Sequence, residues 1–218
     1  MSDAPDTYPT FTRAERVADG LMHLVGVGFA ITGAVLLVVL AAGAKPWVIT
    51  AAAIVYALAL IATFVASGLY HMTPWEGARP TLRRIDHAAI YIKIAGTYTP
   101  LVAMIGSAFG WVLLGVVWAL AMVGAVAKLF FWRRPGHMGT LLYLVLAWLS
   151  VALMWPLAER MPPGGMALIL AGGLLYTVGT IFYSRKSLRF QNAIWHGFVL
   201  AASACFFAAI TWGVAVVG

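Results

Sequence analysis

The chain carries very few charged residues for its length. Of its 218 residues only 10% are charged, against about 25% in a typical soluble domain, whereas 63% are hydrophobic. Acidic residues are scarcest, with 7 Asp and Glu against 14 Lys and Arg. A soluble domain carries far more charged and fewer hydrophobic residues than this chain, so the composition excludes that class. We therefore predict a protein whose main solvent is the lipid bilayer.

Cysteine, long polar segments and internal repeats are also scarce or missing. The single cysteine, Cys205, falls in an apolar stretch, so no intramolecular disulfide can form and Cys205 is interpreted as a packing residue. The longest polar loop runs only from Met72 to Arg84, which leaves no room for a separate soluble domain. We predict one transmembrane domain over residues 17–218, preceded by a cytoplasmic N-terminal tail over residues 1–16.

Long uncharged runs, by contrast, are abundant. A bilayer core about 30 Å thick needs roughly 20 helical residues to cross it. The sequence holds seven runs near that length, and only the third contains a charge, Lys93. We therefore predict an all-α fold, a bundle of seven transmembrane helices. The predicted spans are Leu24–Ala44, Pro46–Tyr70, Ala88–Ile105, Trp111–Val126, Thr140–Leu157, Met166–Ser184 and Ala193–Val217.

The positive charges lie mainly at one set of helix ends, and the opposite ends hold only Lys45 and Arg160. Cytoplasmic loops of membrane proteins collect Lys and Arg, so we predict a cytoplasmic N-terminus and, after seven spans, a C-terminus outside. Short basic groups beside a membrane attract anionic lipid headgroups, so the net charge of +7 indicates membrane lipids as partners rather than nucleic acid. The basic ends carry Arg13, Arg16, Arg79, Arg83, Arg84, Lys128, Arg133, Arg134, Arg185, Lys186 and Arg189.

Ionisable residues in or beside the spans gather at these same cytoplasmic ends. Asp19 and Asp86 lie there, and so do all the histidines. The histidines are His23, His71, His87, His137 and His196. Charges and imidazoles in or near hydrocarbon are costly and usually face the bundle interior, so their clustering predicts a functional site.

Helical spacing places several of these polar residues on shared faces. Glu15, Asp19 and His23 recur every four residues, which puts them on one face of the first helix. Ser67 precedes His71 by four residues, and Asn192 precedes His196 by the same interval. Asp19 with His23 has two interpretations, a structural polar cap on the first helix or a part of the site. His87 and His137 stand next to basic loops and are interpreted as interfacial anchors.

Two imidazoles and one carboxylate on separate helices predict a zinc site, with His71, His196 and Asp86 as the ligands. Three protein ligands and one open position are typical of catalytic zinc, where a bound water becomes a nucleophile near neutral pH. Ser67 has two interpretations. Its hydroxyl either bonds the carbonyl one turn back or contacts a ligand or substrate.

Three segments carry distinctive motifs: Ser67–His71 (SGLYH), Leu82–His87 (LRRIDH) and Ile94–Pro100 (IAGTYTP). Together they resemble the hemolysin III family, the bacterial branch of the progestin and adipoQ receptor superfamily. Glu15, Asp19 and His23 are similar to the family's first-helix pattern, and Trp195, His196 and Val199 are similar to its last. The resemblance covers nearly the whole chain.

The resemblance implies seven helices with a cytoplasmic N-terminus. In adiponectin receptor relatives it also implies an intramembrane zinc near the cytoplasmic side and ceramidase-like amide hydrolysis. His71 and His196 match two zinc-binding histidines, Asp86 matches the acidic residue beside the zinc, and Ser67 matches a nearby serine. Asn192 stands where the family has its third histidine.

The leading hypothesis is a hemolysin III-type protein of the bacterial inner membrane that affects membrane lipid state as a zinc-dependent lipid amide hydrolase. In it, His71 and His196 hold Zn²⁺, Asp86 acts as general base and Ser67 orients the lipid carbonyl. This hypothesis predicts metal-dependent release of fatty acid.

Two further hypotheses stay open. The first is a non-enzymatic membrane organiser or lipid sensor, in which Asp19, His23, Asp86 and Lys93 form a polar lock between helices. Glu15, Lys93 and Asn192 belong with Asp19 and His23 to the predicted polar network. The second is a pore or transporter, which ranks last because no segment resembles a selectivity filter. The lipid and the oligomeric state stay open.

Overall fold

The computed structural model describes residues 11–43, 46–131 and 137–217. In these ranges all regular structure is helical, with eight α-helices and one short 3-10 segment, Leu149–Leu153. The α-helices are α1 Arg13–Ala41, α2 Trp47–Met72, α3 Arg79–Ile105, α4 Ala108–Phe130, α5 His137–Trp148, α6 Met154–Ala158, α7 Pro163–Ser184 and α8 Gln191–Val217. The side chain of His137 lies outside the described residues.

Seven described segments are long and apolar enough to cross a bilayer, which confirms the predicted all-α bundle of seven spans. Six are single helices, and the fifth, Leu141–Ala158, joins α5, the 3-10 segment and α6. The outside of the bundle is apolar, and Leu24, Val112 and Val123 are 71%, 69% and 69% exposed. Side chains of this kind suit contact with lipid rather than water, so the chain is a multi-pass membrane protein.

Two helices begin well before their predicted spans. α1 begins at Arg13 and α3 at Arg79, whereas the uncharged runs begin at Leu24 and Ala88. A capping box fixes the start of α1, because Glu15 accepts from the Thr12 amide at 2.9 Å while the Thr12 side chain accepts from the Glu15 amide. Uncharged runs mark only the part of a helix that lies in hydrocarbon. The polar first turns of α1 and α3 lie outside those runs and carry part of the predicted functional site.

The fifth span differs from the continuous helix predicted over Thr140–Leu157. The Tyr98 hydroxyl, on α3, donates to the carbonyls of Leu146 and Ala147, both at 2.9 Å. These carbonyls lie in the last turn of α5, where the helix gives way to the 3-10 segment. Pro156 has no N–H with which to continue the α-helical ladder. Hydrogen bonding from another helix therefore takes the place of the regular bonds at this break.

α3 lies at the centre of the bundle. It packs against α2, α4 and α8, and 67% of its most apolar stretch is buried, the largest share among the seven spans. A β-carbon at Gly96 would lie 2.5 Å from that of Ala59, so glycine at this position permits the close approach of α2 and α3. Asp86 and Lys93, both on α3, are therefore held inside the protein.

Candidate functional site

A cavity of about 1260 Å³ lies inside the described part of the bundle. We call the end where α1, α3 and α8 begin the basic end, and there the cavity wall includes Arg16, Arg79, Arg83 and Lys186. Partial burial and the neighbouring Arg83 lower the pKa of Lys186 below its usual value. The cavity exceeds the roughly 300–1,000 Å³ of common small-molecule sites, so a lipid-sized ligand fits it.

Three histidines from three helices meet in this cavity wall at the basic end. His23 on α1, His71 on α2 and His196 on α8 each offer a ring nitrogen, and these three atoms lie within 4.8 Å of one another. The ring centroids are 4.3 Å apart for His23 and His196, 4.6 Å for His71 and His196, and 5.2 Å for His23 and His71. We call these three residues the histidine cluster. A metal ion could be held there.

One buried carboxylate, Asp19, contacts every member of the histidine cluster through Nδ1. In the tautomer with a protonated Nδ1, His196 donates to Asp19 Oδ1 at 2.6 Å. Nδ1 of His23 lies 3.6 Å from Oδ1 and 2.8 Å from the Asp19 carbonyl, and Nδ1 of His71 lies 3.6 Å from Oδ2. A carboxylate at Nδ1 orients an imidazole so that Nε2 is presented as a ligand, as at many metal centres.

Ser67 lies at the Nε2 side of the histidine cluster. Its Oγ is 3.2 Å from Nε2 of His23 and 3.5 Å from Nε2 of His196. The Asp86 carboxylate, buried on α3, interacts with the Ser67 hydroxyl and with His196, and it lies 3.5 Å from Nδ1 of His87. A serine and a carboxylate are thus placed beside the atoms that would bind a metal.

The histidine cluster differs in one member from the ligand set predicted from sequence. His71 and His196 are brought together, but the third group within 4.8 Å is His23 rather than Asp86. The sequence places His23 in the polar network, and the first-helix spacing alone does not show which helix its face meets. Asn192, at the position of the family's third histidine, has its Nδ2 3.5 Å from Nδ1 of His71.

The remaining members of the predicted polar network lie apart from the histidine cluster. Glu15 stands at the start of α1, where its Oε1 accepts from the Phe190 amide at 3.1 Å and so ties α1 to the segment before α8. Lys93 lies deeper in the bundle and hydrogen-bonds the hydroxyls of Tyr176 and Ser203. The single polar lock proposed from sequence is therefore divided between two levels of the bundle.

The fold and the site together define a multi-pass membrane protein with a buried histidine cluster beside a large internal cavity. The family model described as "Haemolysin-III related" matches residues 11–207, and the chain belongs to this family. The chain is 39% identical to the Hemolysin-3 homolog of Bacillus subtilis (strain 168), over 90% of this chain and 93% of that relative.

Two more relatives show how far the similarity extends. Hemolysin-3 of Bacillus cereus is 37% identical over 88% of this chain and 89% of its own. The human Monocyte to macrophage differentiation factor is a more distant relative, 26% identical over 72% of this chain and 67% of its own. The resemblance seen in the sequence motifs is thereby confirmed.

Proposed function

We propose that this protein is a zinc-dependent hydrolase that cleaves an amide bond of a membrane lipid. The observation that carries the proposal is the histidine cluster, in which three imidazoles from three helices converge at one end of a cavity of about 1260 Å³. The positive-inside rule supports a cytoplasmic location for this basic end, in the inner membrane of a bacterium.

The residues present fit a zinc ion. Three imidazoles form a ligand set that catalytic zinc uses, and such sites keep a further position open. Asp19 accepts from Nδ1 of His196, which leaves Nε2 for a metal. His23, His71 and His196 would therefore hold the ion, with Asp19 orienting them from behind. Asp86 would not be a ligand in this arrangement.

Each remaining side chain of the site has a role in amide hydrolysis. Zinc, when bound, would lower the pKa of a water toward neutral pH. The Asp86 carboxylate would accept a proton from the attacking water and later donate it to the leaving amine. The Ser67 hydroxyl donates a hydrogen bond to the lipid carbonyl oxygen. The carbonyl carbon gains the water oxygen, its bond to nitrogen breaks, and a fatty acid and an amine are released.

Metal content of the purified protein tests the proposal directly. We expect about one zinc per chain in the wild type, and loss of it in His23→Ala, His71→Ala and His196→Ala, because each variant removes one of three ligands. His87→Ala is the matched control, since His87 Nδ1 lies 2.8 Å from the Arg83 carbonyl and His87 is outside the histidine cluster. A wild type purified without chelators that holds no zinc would refute the proposal.

Turnover is tested separately with an N-acyl sphingoid lipid in proteoliposomes. We expect fatty acid release by the wild type and none by Asp86→Asn, which should still hold zinc because the histidine cluster is intact. Loss of zinc in Asp86→Asn would instead make Asp86 a ligand, as the sequence predicted. Zinc without hydrolysis of any N-acyl lipid would favour a lipid sensor.

A non-enzymatic membrane organiser is the second function that one observation supports. The single side chain of Asp19, on α1, contacts His71 on α2 and His196 on α8. A buried polar contact of this kind can fix the arrangement of helices in a membrane without any chemistry. This function requires neither metal nor turnover, so the two measurements above separate it from the hydrolase.

A further inference from the structure

Lys93 is a buried cation in the middle of a membrane-spanning helix. Its side chain is 7% exposed, and its ammonium donates hydrogen bonds to the Tyr176 hydroxyl, on α7, and to Ser203 Oγ, on α8, the latter at 2.5 Å. The same nitrogen lies 5.0 Å from the ring centroids of Phe64 and Tyr176. We call Lys93, Tyr176 and Ser203 the lysine site.

The lysine site lies well apart from the histidine cluster. On α3, Lys93 follows Asp86 by seven residues, and on α8, Ser203 follows His196 by the same interval. At 1.5 Å per residue, each helix independently places the lysine site about 10 Å deeper in the bundle. The two polar sites are therefore separate, although Lys93 and His196 both line the same cavity.

The partners of Lys93 are all uncharged. No Asp or Glu of the described residues lies within 4.0 Å of its ammonium, and Asp19 and Asp86 instead lie close to histidines. A charge in the bilayer is expensive and is usually paired or turned toward water or a ligand. Hydroxyls and aromatic faces solvate an ammonium without neutralising it. The positive charge of the lysine site can therefore be balanced by one negative charge on a ligand.

One hydrogen-bond donor remains for such a ligand. An ammonium has three N–H groups, and two of those on Lys93 are engaged by Tyr176 and Ser203. Ser203 donates to the Val199 carbonyl at 2.5 Å, so its oxygen acts as an acceptor toward Lys93. For the same reason the Tyr176 hydroxyl is the donor in its 2.8 Å contact with Ser203 Oγ, and the third N–H of Lys93 is the donor left for a ligand.

The cavity around the lysine site is suited to an alkyl chain. Lys93 and Tyr176 line it, and so do the apolar side chains of Leu101, Met154 and Ile169. Leu101 follows Lys93 on α3 by eight residues, so the apolar wall continues about 12 Å beyond the ammonium. A ligand with one charged end and one long apolar chain matches both features.

We propose that Lys93, Tyr176 and Ser203 form an anion-binding subsite for the acidic head group of a single-chain amphiphile. The head group accepts a hydrogen bond from the third N–H of Lys93, whose ammonium Tyr176 and Ser203 hold in place, and its alkyl chain lies along the apolar wall. One ammonium matches the single negative charge of a carboxylate, and it can also bind a monoalkyl phosphate, which carries about −1.5 to −2 at neutral pH. The subsite goes beyond the proposed hydrolase, because it requires neither the metal nor turnover.

Direct binding to the full chain tests this subsite. Wild type, Lys93→Met and Lys128→Met are placed in nanodiscs of neutral phosphatidylcholine with a metal chelator present, and binding of radiolabelled hexadecanoate and hexadecyl phosphate is measured. Lys128, on α4, is the control because it is a lysine that does not line the cavity. We expect wild type and Lys128→Met to bind at least one of the two anions saturably. Lys93→Met should bind that anion at least about tenfold more weakly, because it loses a hydrogen bond to a charged group.

Three outcomes would overturn the proposal: no binding of either anion to wild type, equal affinity in Lys93→Met, or equally strong competition by hexadecanol, which has the chain but no charge. If Lys93→Met does not fold, Lys93→Gln decides, because it removes the charge and keeps a polar side chain, and unchanged affinity in that variant overturns the proposal. The anion that binds more tightly identifies the head group. Because the chelator removes zinc, failure of the hydrolase proposal does not change these results.

Discussion

At the scale of single residues, Asp19 has the most partners in the site. Its Oδ1 contacts Nδ1 of His196 and of His23, and its Oδ2 contacts Nδ1 of His71. An aspartate can accept from N–H groups on both oxygens, whereas asparagine keeps one acceptor and presents an NH₂ donor in place of the other. The orientation of the imidazoles therefore depends both on the negative charge of this carboxylate and on its two equivalent acceptor oxygens.

Asp19→Asn is expected to weaken zinc binding without removing a ligand. The amide cannot accept from all the Nδ1–H groups, so the rings lose part of their orientation, and zinc affinity should fall by about 10–100-fold. Competition with a chromophoric chelator measures the change. Glu15→Gln is the matched control, since Glu15 lies one turn earlier on α1 and bonds Thr12 and Phe190 instead. Equal affinity in Asp19→Asn and wild type would show that Asp19 does not support a metal.

At the scale of helices, hydrophobic length predicted the spans because the bilayer sets the number of apolar residues that a helix needs. The helix starts were missed where polar turns leave hydrocarbon, as at Arg79 on α3. The break in the fifth span depends on the Tyr98 hydroxyl, a contact 48 residues away in sequence. The sequence left the role of His23 open for a similar reason, because the rotation of each helix about its axis is fixed by packing between helices.

Gly96 is one residue through which packing positions α2 against α3. Gly96→Ala places a β-carbon 2.5 Å from that of Ala59, so the helices must separate, and overpacking of this kind costs about 1–3 kcal/mol of unfolding free energy. We expect a lower melting temperature in detergent. Gly115→Ala on α4, where no atom lies within 4 Å of the added carbon, is the control and should melt like wild type. Equal melting of both variants would show that the contact between α2 and α3 is adaptable.

At the scale of the whole molecule, the two polar sites lie at different depths of one cavity. The histidine cluster is at the basic end, with Arg16 and Arg79 in the nearby cavity wall, and Lys93 is about 10 Å deeper. Basic side chains at a membrane surface attract anionic headgroups. The proposed hydrolase would therefore take its lipid from the leaflet that the basic end faces.

Accessibility of single cysteines determines that orientation. In a Cys205→Ala background, Ser187→Cys reports the loop before α8 at the basic end, and Glu159→Cys reports the opposite end after α6; both native residues are exposed. The positive-inside rule leads us to expect that a membrane-impermeant maleimide labels Glu159→Cys on intact cells and Ser187→Cys only after permeabilisation. Cys205→Ala alone should not be labelled. The reverse pattern would move the histidine cluster to the outer leaflet, so that lipids of that leaflet, rather than those facing the cytoplasm, would be its substrates.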